Sequence, residues 1–247
     1  MSDGLVSTVP VGQRHDDRTV GIARATARIA PALRAVADAH AADLARLKTD
    51  AAKEYAALLA HDDGLWHLLL VSFSTLGDST GYDRLVGNRT NYDRARFQAI
   101  AACPADQRLA HIERVLRDAR VRYPGNKARY LLYNFDWMVR NGGPRAVRDR
   151  LLATPGRPAK LAFVRQFAGI GAKYARNLFM DLYHPDFHDS IAIDSRIAGV
   201  TAALGLSFER YEDHEAFYLE AGRLAGLNGW EVDRLLYNYR DEALAQL

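Results

Sequence analysis

Apolar residues recur at helical spacing along most of the chain. Between 19 and 60, Ile22, Ile29, Leu33, Val36, Leu44 and Leu47 punctuate a stretch rich in Ala, Leu, Arg and Glu, which predicts helix. Pro31 is expected to kink or split it. Residues 64–74 are strongly apolar (GLWHLLLVSFS) and predict a buried helix. Asn91 is expected to cap a helix holding Ala95 and Phe97. The segment 106–121 is amphipathic, with Leu109, Ile112, Val115 and Leu116 expected inward. A helix over 126–140 carries Tyr130, Leu131, Tyr133, Phe135 and Trp137, and Asn141-Gly142-Gly143-Pro144 stops it and opens the next.

A second break, Thr154-Pro155-Gly156-Arg157-Pro158, precedes a short helix reaching Phe167. Gly169-Ile170-Gly171 then separates it from a helix over 172–183. Residues 183–193 read as loop, Asp194 or Ser195 opens a helix ending near Gly205, and 208–224 and 231–247 read as the last two. No strand-like alternation of useful length and no solenoid repeat appears in the sequence. The expectation is an all-α chain of about ten helices, compact and two-lobed.

With 247 residues, 49% hydrophobic and 26% charged, the composition is that of a folded globular chain, which excludes disorder and collagen. One cysteine, Cys103, excludes a disulfide framework, a four-cysteine zinc site and a four-cysteine iron–sulfur cluster, and is expected to be a small buried side chain. No apolar run approaches the roughly 20 residues of a membrane helix. Residues 1–17 lack a basic-then-apolar leader pattern, so the expected location is cytoplasmic, at the nucleoid in a bacterium.

The net charge of +3 hides an uneven distribution. Residues 104–176 hold 16 Lys or Arg against 5 Asp or Glu, a net of +11, and the rest of the chain is at −8. A basic centre between acidic arms suits a polyanion, although a solvated arginine-rich surface gives the same count.

The candidate chemistry lies at 163–206. Gly169 and Gly171 permit positive φ and close approach of another backbone. The helix that follows opens with unpaired N–H groups and a positive dipole end, which suit a phosphate oxygen, and Arg165 and Arg176 flank it. Glycine is also a common helix terminator, so this turn alone is weak evidence. Lys173 follows Gly171 by two residues, and Ile191-Ala192-Ile193-Asp194 comes about twenty residues later. Only five lysines occur against 28 arginines, which makes a lysine at this position informative.

This segment resembles the helix–hairpin–helix DNA glycosylases, the superfamily of endonuclease III and 8-oxoguanine DNA glycosylase. Their Leu-Pro-Gly-Val-Gly-x-Lys-x-Ala hairpin is matched by Phe167-Ala168-Gly169-Ile170-Gly171-Ala172-Lys173-Tyr174-Ala175, and their aspartate segment by Ile191-Ala192-Ile193-Asp194-Ser195-Arg196. Upstream, Tyr123-Pro124-Gly125-Asn126-Lys127-Ala128 is similar to the family's Lys-Ala helix start. Ala168 replaces the usual proline, and the loop before Asp194 is a few residues longer than usual.

The resemblance implies a bifunctional enzyme of the branch without an iron–sulfur cluster. Lys173 would attack C1′ of a damaged nucleotide, an act that needs a neutral amine and so predicts an apolar pocket around it. Asp194 would stabilise positive charge at the sugar and assist proton transfer. DNA contacts are expected from Gly169, Ile170, Gly171, Ala172, Arg176, Lys127 and Thr75, with Thr75 or Leu76 filling the gap left by the flipped base. Trp66, Trp137, Trp230, Tyr237 and Tyr239 are candidates for gripping that base, each with core packing as the plain alternative.

No organic cofactor is implied; a K⁺ or Na⁺ at the hairpin carbonyls is. His184 and His188 are four apart, but Pro185 between them argues against a helical metal pair. The expected partner is double-stranded DNA holding a damaged base, bound by a monomer with no membrane involved. An oxidised purine such as 8-oxoguanine is the first choice of lesion. A non-catalytic DNA-binding hairpin module and a monofunctional alkyl-base glycosylase are the alternatives. The expected organisation is an N-terminal helical segment 1–62, a core 63–206 and C-terminal helices 207–247.

Overall fold

The computed structural model describes residues 11–75 and 79–247, with the backbone alone over 11–18. The leader reading over 1–10 and the gap-filling candidate Leu76 lie outside the described residues. Among the described residues there is no strand, and fifteen α-helices occur. They are α1 (Val11–Ala39), α2 (Ala41–Ala60), α3 (Gly64–Ser74), α4 (Thr80–Leu85), α5 (Arg89–Ala95) and α6 (Phe97–Ala102), then α7 (Arg108–Asp118), α8 (Pro124–Arg140), α9 (Gly143–Ala153) and α10 (Gly156–Val164). After these come α11 (Ala172–Met180), α12 (Ser195–Ala203), α13 (Tyr211–Ala225), α14 (Gly229–Asn238) and α15 (Arg240–Ala245). None is long and apolar enough to cross a membrane.

The helices sort into two compact units. One takes the chain up to Arg46 together with His188–Leu247, the other Leu47–Phe187. The changes of unit therefore fall inside α2 and before His188, where the sequence reading placed boundaries at 62 and 206. Asp194 belongs to the first unit and Lys173 to the second.

In the second unit the apolar helix α3 forms the centre. Trp66 is 1% exposed, donates its indole N–H to the Ala95 carbonyl at 2.9 Å, and meets Phe97 and Phe135 edge-on. Burying side chains of this size contributes about 1.5–3 kcal/mol each. In the first unit Ile29, Leu33 and Val36 of α1, Phe217 and Tyr218 of α13, and Trp230 and Leu236 of α14 are buried together.

Several local expectations are corrected. Pro31 neither kinks nor splits α1, which runs through it to Ala39. Pro31 and Ala27, whose carbonyl loses its N–H partner to the proline, are both exposed, so that carbonyl can reach water. Asn88 rather than Asn91 caps α5, accepting the Asn91 N–H at 3.1 Å, and Phe97 starts a separate helix. Leu109 is 37% exposed, while Ile112, Val115 and Leu116 are buried as expected. Cys103 is half-exposed at the end of α6. The last helix breaks at Tyr239 into α14 and α15. The count exceeds ten because α4, α5, α6 and α15 are six or seven residues long, too short to show a period.

Part of the basic centre is structural. Arg148, Lys127 and Lys160 are 3–8% exposed, and each serves the C-terminal end of a helix. Arg148 donates to the carbonyls of Leu58, Leu59 and His61 around the end of α2. Lys127 donates to Phe73 in the last turn of α3 at 2.6 Å. Lys160 donates to Thr154, just past α9, and pairs with Asp186 at 2.7 Å. Cations at helix C-termini satisfy orphan carbonyls and complement the dipole.

Candidate DNA-processing site

The hairpin between α10 and α11 is built from one turn and two anchors. The Ile170 N–H donates to the Phe167 carbonyl at 3.3 Å, and Gly169 takes φ +81°. Phe167 and Ile170 point into the core at 2% and 7% exposed. A Cβ on Gly169 would lie 2.7 Å from the Phe73 ring and 2.8 Å from Tyr130. Both the positive φ and the contact demand glycine there. Gly171 differs: its φ is −86° and a Cβ would meet nothing within 4 Å, so neither positive φ nor internal crowding explains it.

Two side chains of α8 fix this hairpin from behind. Asn134, fully buried, donates Nδ2–H to the Ala168 carbonyl at 3.1 Å and accepts the Ala168 N–H on Oδ1 at 2.8 Å. Lys127 holds the Phe73 carbonyl, and the Phe73 ring lies against Gly169 and Tyr130. Burial, with Arg122 nearby, brings the Lys127 ammonium down to about 8. Lys127 is thus an internal strut, not the surface DNA contact expected of it.

Lys173 stands in the first turn of α11, half-buried, with Nζ 4.9 Å from the Tyr174 ring centroid. The apolar enclosure expected around it is replaced by this one aromatic face and partial exposure. No side chain caps α11. Its first helical bond runs from the Ala175 N–H to the Gly171 carbonyl, and among the described residues the N–H groups of Ala172, Lys173 and Tyr174 stay unpaired. Arg176 is 5% exposed and donates to the Ala172 carbonyl, so it does not present its charge at the surface. Arg165 is exposed.

Asp194 caps α12. Its Oδ1 accepts the N–H groups of Arg196 at 2.9 Å and Ile197 at 3.0 Å, which leaves Oδ2 outside the cap. The extended segment before it is held residue by residue. Ile191 N–H donates to Glu215, Ala192 N–H to Asp233 at 2.8 Å, and Ile193 N–H to the Tyr211 hydroxyl, which in turn donates to the Ile191 carbonyl. Glu215 and Asp233 are each 3% exposed. Gly229 gives this segment room, since a Cβ there would lie 2.7 Å from the Ser190 nitrogen. Sequence reasoning missed Asn134, Tyr211, Glu215 and Asp233. Acids at the inward positions of α13 and α14 were the available signal, because a buried carboxylate needs donors.

The other expected site residues scatter. Trp66 and Trp230 are core residues, each 1% exposed, with no face left for a base. Trp137 packs edge-on against Phe163 and Phe167. Tyr237 is 45% exposed under the Arg196 guanidinium, 4.4 Å from its ring, and Tyr239 stacks on His40. Thr75 is exposed at the end of α3. His184 is buried, and its Nδ1 accepts the Asp186 N–H. No cluster of three His, Cys, Asp or Glu side chains able to hold a metal occurs among the described residues. A cavity of about 370 Å³ in the second unit is lined by His67, Tyr92 and Arg96, among others, and by none of the expected base-gripping residues.

No protein-family model matches the chain, and no curated protein matches it. Among solved structures, the crystal structure of the 8-oxoguanine DNA glycosylase of Thermotoga maritima is similar, with a TM-score of 0.62 and 16% identity over 86% of this chain and 95% of that one. At this identity the likeness is one of fold, an all-helical architecture followed across nearly the whole neighbour.

Proposed function

We propose that this chain is a DNA repair glycosylase that also cuts the strand at abasic sites. What carries the reading is one placement: an amine on the first turn of α11, directly after an exposed glycine hairpin, in a fold shared with an 8-oxoguanine DNA glycosylase. The unpaired N–H groups of α11 and the open space at Gly171 receive a DNA phosphate. The Gly169 and Ile170 carbonyls have no partner among the described residues, and these are the oxygens left for the monovalent cation that the family resemblance implies.

In the reaction, the Lys173 Nζ bonds to C1′ of the damaged nucleotide as the C1′–N glycosidic bond breaks. The base leaves with the electron pair and is protonated. The sugar ring opens to an imine between Nζ and C1′. Loss of a C2′ proton then expels the 3′ phosphate by β-elimination. Asp194 offers its uncapped Oδ2 to the positive charge that develops at the sugar. The substrate is duplex DNA with an oxidised purine, 8-oxoguanine first.

The test is a panel of duplexes, each with one lesion, scored separately for base release and nicking, together with borohydride trapping on abasic-site DNA. Excision, nicking and a trapped complex are expected from the wild type, and no trapped complex from Lys173→Gln. A wild type that does not crosslink, or a Lys173→Gln variant that does, overturns the Schiff base. Binding without action on any lesion makes the chain a non-catalytic hairpin module, and excision without nicking a monofunctional glycosylase.

A further inference from the structure

We infer that Asn134 is the positioning residue that sets the shape of the hairpin, doing through its side-chain amide what a proline would do at position 168; its consequence for DNA rests on the function proposed above. The turn Phe167-Ala168-Gly169-Ile170 closes with an Ile170 N–H to Phe167 carbonyl bond and carries positive φ at its third residue, the pattern of a type II turn. Proline is common at the second position of such a turn because its ring presets φ. Here that position is Ala168, which keeps a flexible φ and an N–H.

That N–H is used. Asn134 takes it on Oδ1 and returns Nδ2–H to the carbonyl of the same residue, so both polar backbone groups of Ala168 are held by one amide 34 residues away. Asn134 is fully buried in the interior of α8, where asparagine is a poor helix former. The two bonds account for its presence. Position 168 can therefore be fixed in two ways that exclude each other. A proline would preset the turn but remove the donor that Asn134 needs, whereas alanine with Asn134 fixes it by hydrogen bonds. The hairpin precedes the N–H groups of α11 and Lys173 in the chain, so the orientation of this turn aims both. Asn134 acts through the hairpin and is not a catalytic residue.

A double-mutant cycle tests this. Asn134→Leu leaves both groups of Ala168 without partners. Ala168→Pro alone leaves buried Oδ1 without its donor. Each is expected to weaken binding to abasic-site duplex about tenfold at a temperature well below unfolding. The double variant is expected to bind more tightly than either single, because the proline presets the turn and nothing is left unpaired at Oδ1. Hydrogen exchange gives a second readout that needs no DNA. The Ala168 amide should be protected in the wild type and exchange about tenfold faster in Asn134→Leu. Asn134→Asp, which keeps the acceptor and loses the donor, should fall between and serves where the leucine variant does not fold.

Single variants that bind like the wild type, a double variant weakened about a hundredfold, or an Ala168 amide unchanged by Asn134→Leu would each overturn the inference. A role in stability alone would lower the unfolding midpoint and leave affinity and the proline rescue unmoved. If the wild type neither binds nor cuts DNA, the proposed function fails, and exchange at Ala168 still decides the clamp.

Discussion

The hairpin of the second unit and the aspartate segment of the first are both irregular backbone, and they are held by opposite chemistry. The hairpin is held by a neutral amide, Asn134, and by the ammonium of Lys127 acting through Phe73. The aspartate segment is held by two buried carboxylates and a phenol, which accept three successive N–H groups. The first arrangement leaves N–H groups and an amine at the open end. The second spends N–H groups internally and leaves one carboxylate oxygen, Oδ2 of Asp194, uncommitted among the described residues. An unpaired backbone donor next to an amine suits an anion. A carboxylate with spare lone pairs suits a developing cation. On the function proposed above, the scaffold beneath each group would match the charge that the group meets.

The sharpest way to break this comparison is to remove the charge at each open end. Lys173→Gln is expected to cut base excision by on the order of 10⁴-fold, and Asp194→Asn by less, because the asparagine keeps the cap. Single-turnover excision on an 8-oxoguanine duplex measures both. Thermal unfolding of Lys173→Gln should match the wild type, since among the described residues the amine makes a ring contact with Tyr174 and no hydrogen bond or ion pair. Equal losses in stability and activity would mean that Lys173 is structural.

Removing the support beneath the aspartate segment comes next. Asp233→Ala leaves the Ala192 N–H without its charged acceptor in a buried site and should destabilise the protein by about 3 kcal/mol. The matching change beneath the hairpin, Asn134→Leu, breaks two neutral bonds and should cost about 1–2 kcal/mol. Urea denaturation ranks them. A reversed order would show that the carboxylates are not what holds the aspartate segment.

These supports explain what could be read in the sequence. The candidate site residues could be picked out because their signals are local. Gly169, Gly171 and Lys173 fall within five residues, and Asp194 precedes an apolar helix that it caps. The helical class was legible from the spacing of Leu33, Val36, Val115 and Leu116. The supports were not legible, because each acts across tens of residues: Asn134 on Ala168, Asp233 on Ala192, Lys127 on Phe73. Charge counting also misled. Lys127, Arg148, Lys160 and Arg176 swell the basic centre while lying buried against carbonyls, so they offer nothing at the surface. Trp66 and Trp230 lie in the core, the plain alternative to gripping a base that each aromatic carried from its sequence.

Acid should act on the first unit through His214. Burial holds its imidazole below the ordinary histidine range, and its Nε2 lies 2.6 Å from the Thr201 hydroxyl on α12, the helix that Asp194 caps. A depressed value in the folded state means that the folded protein binds fewer protons than the unfolded chain as pH falls below about 6.5. The stability that neutral His214 contributes is present above that pH and lost as pH falls. Urea denaturation at pH 7.5 and 5.5 should show a smaller acid loss in His214→Gln than in the wild type.

The smallest expected effect has the opposite pH window and belongs to the hairpin. Lys127 titrates at about 8 in the folded protein against 10.5 for a free side chain. Between these values the unfolded chain binds more protons than the folded one, so stability contributed at this site rises with pH across the window. At pH 7 two effects oppose. Lys127→Met loses the bond to the Phe73 carbonyl but also removes a charge that is costly to bury, so the net change should be about 1 kcal/mol or less. By pH 10 the burial cost has gone from the wild type while the neutral amine still donates, so the gap between wild type and variant should widen. A gap that stays flat from pH 7 to 10 would mean that the Lys127 charge is not desolvated in the folded state.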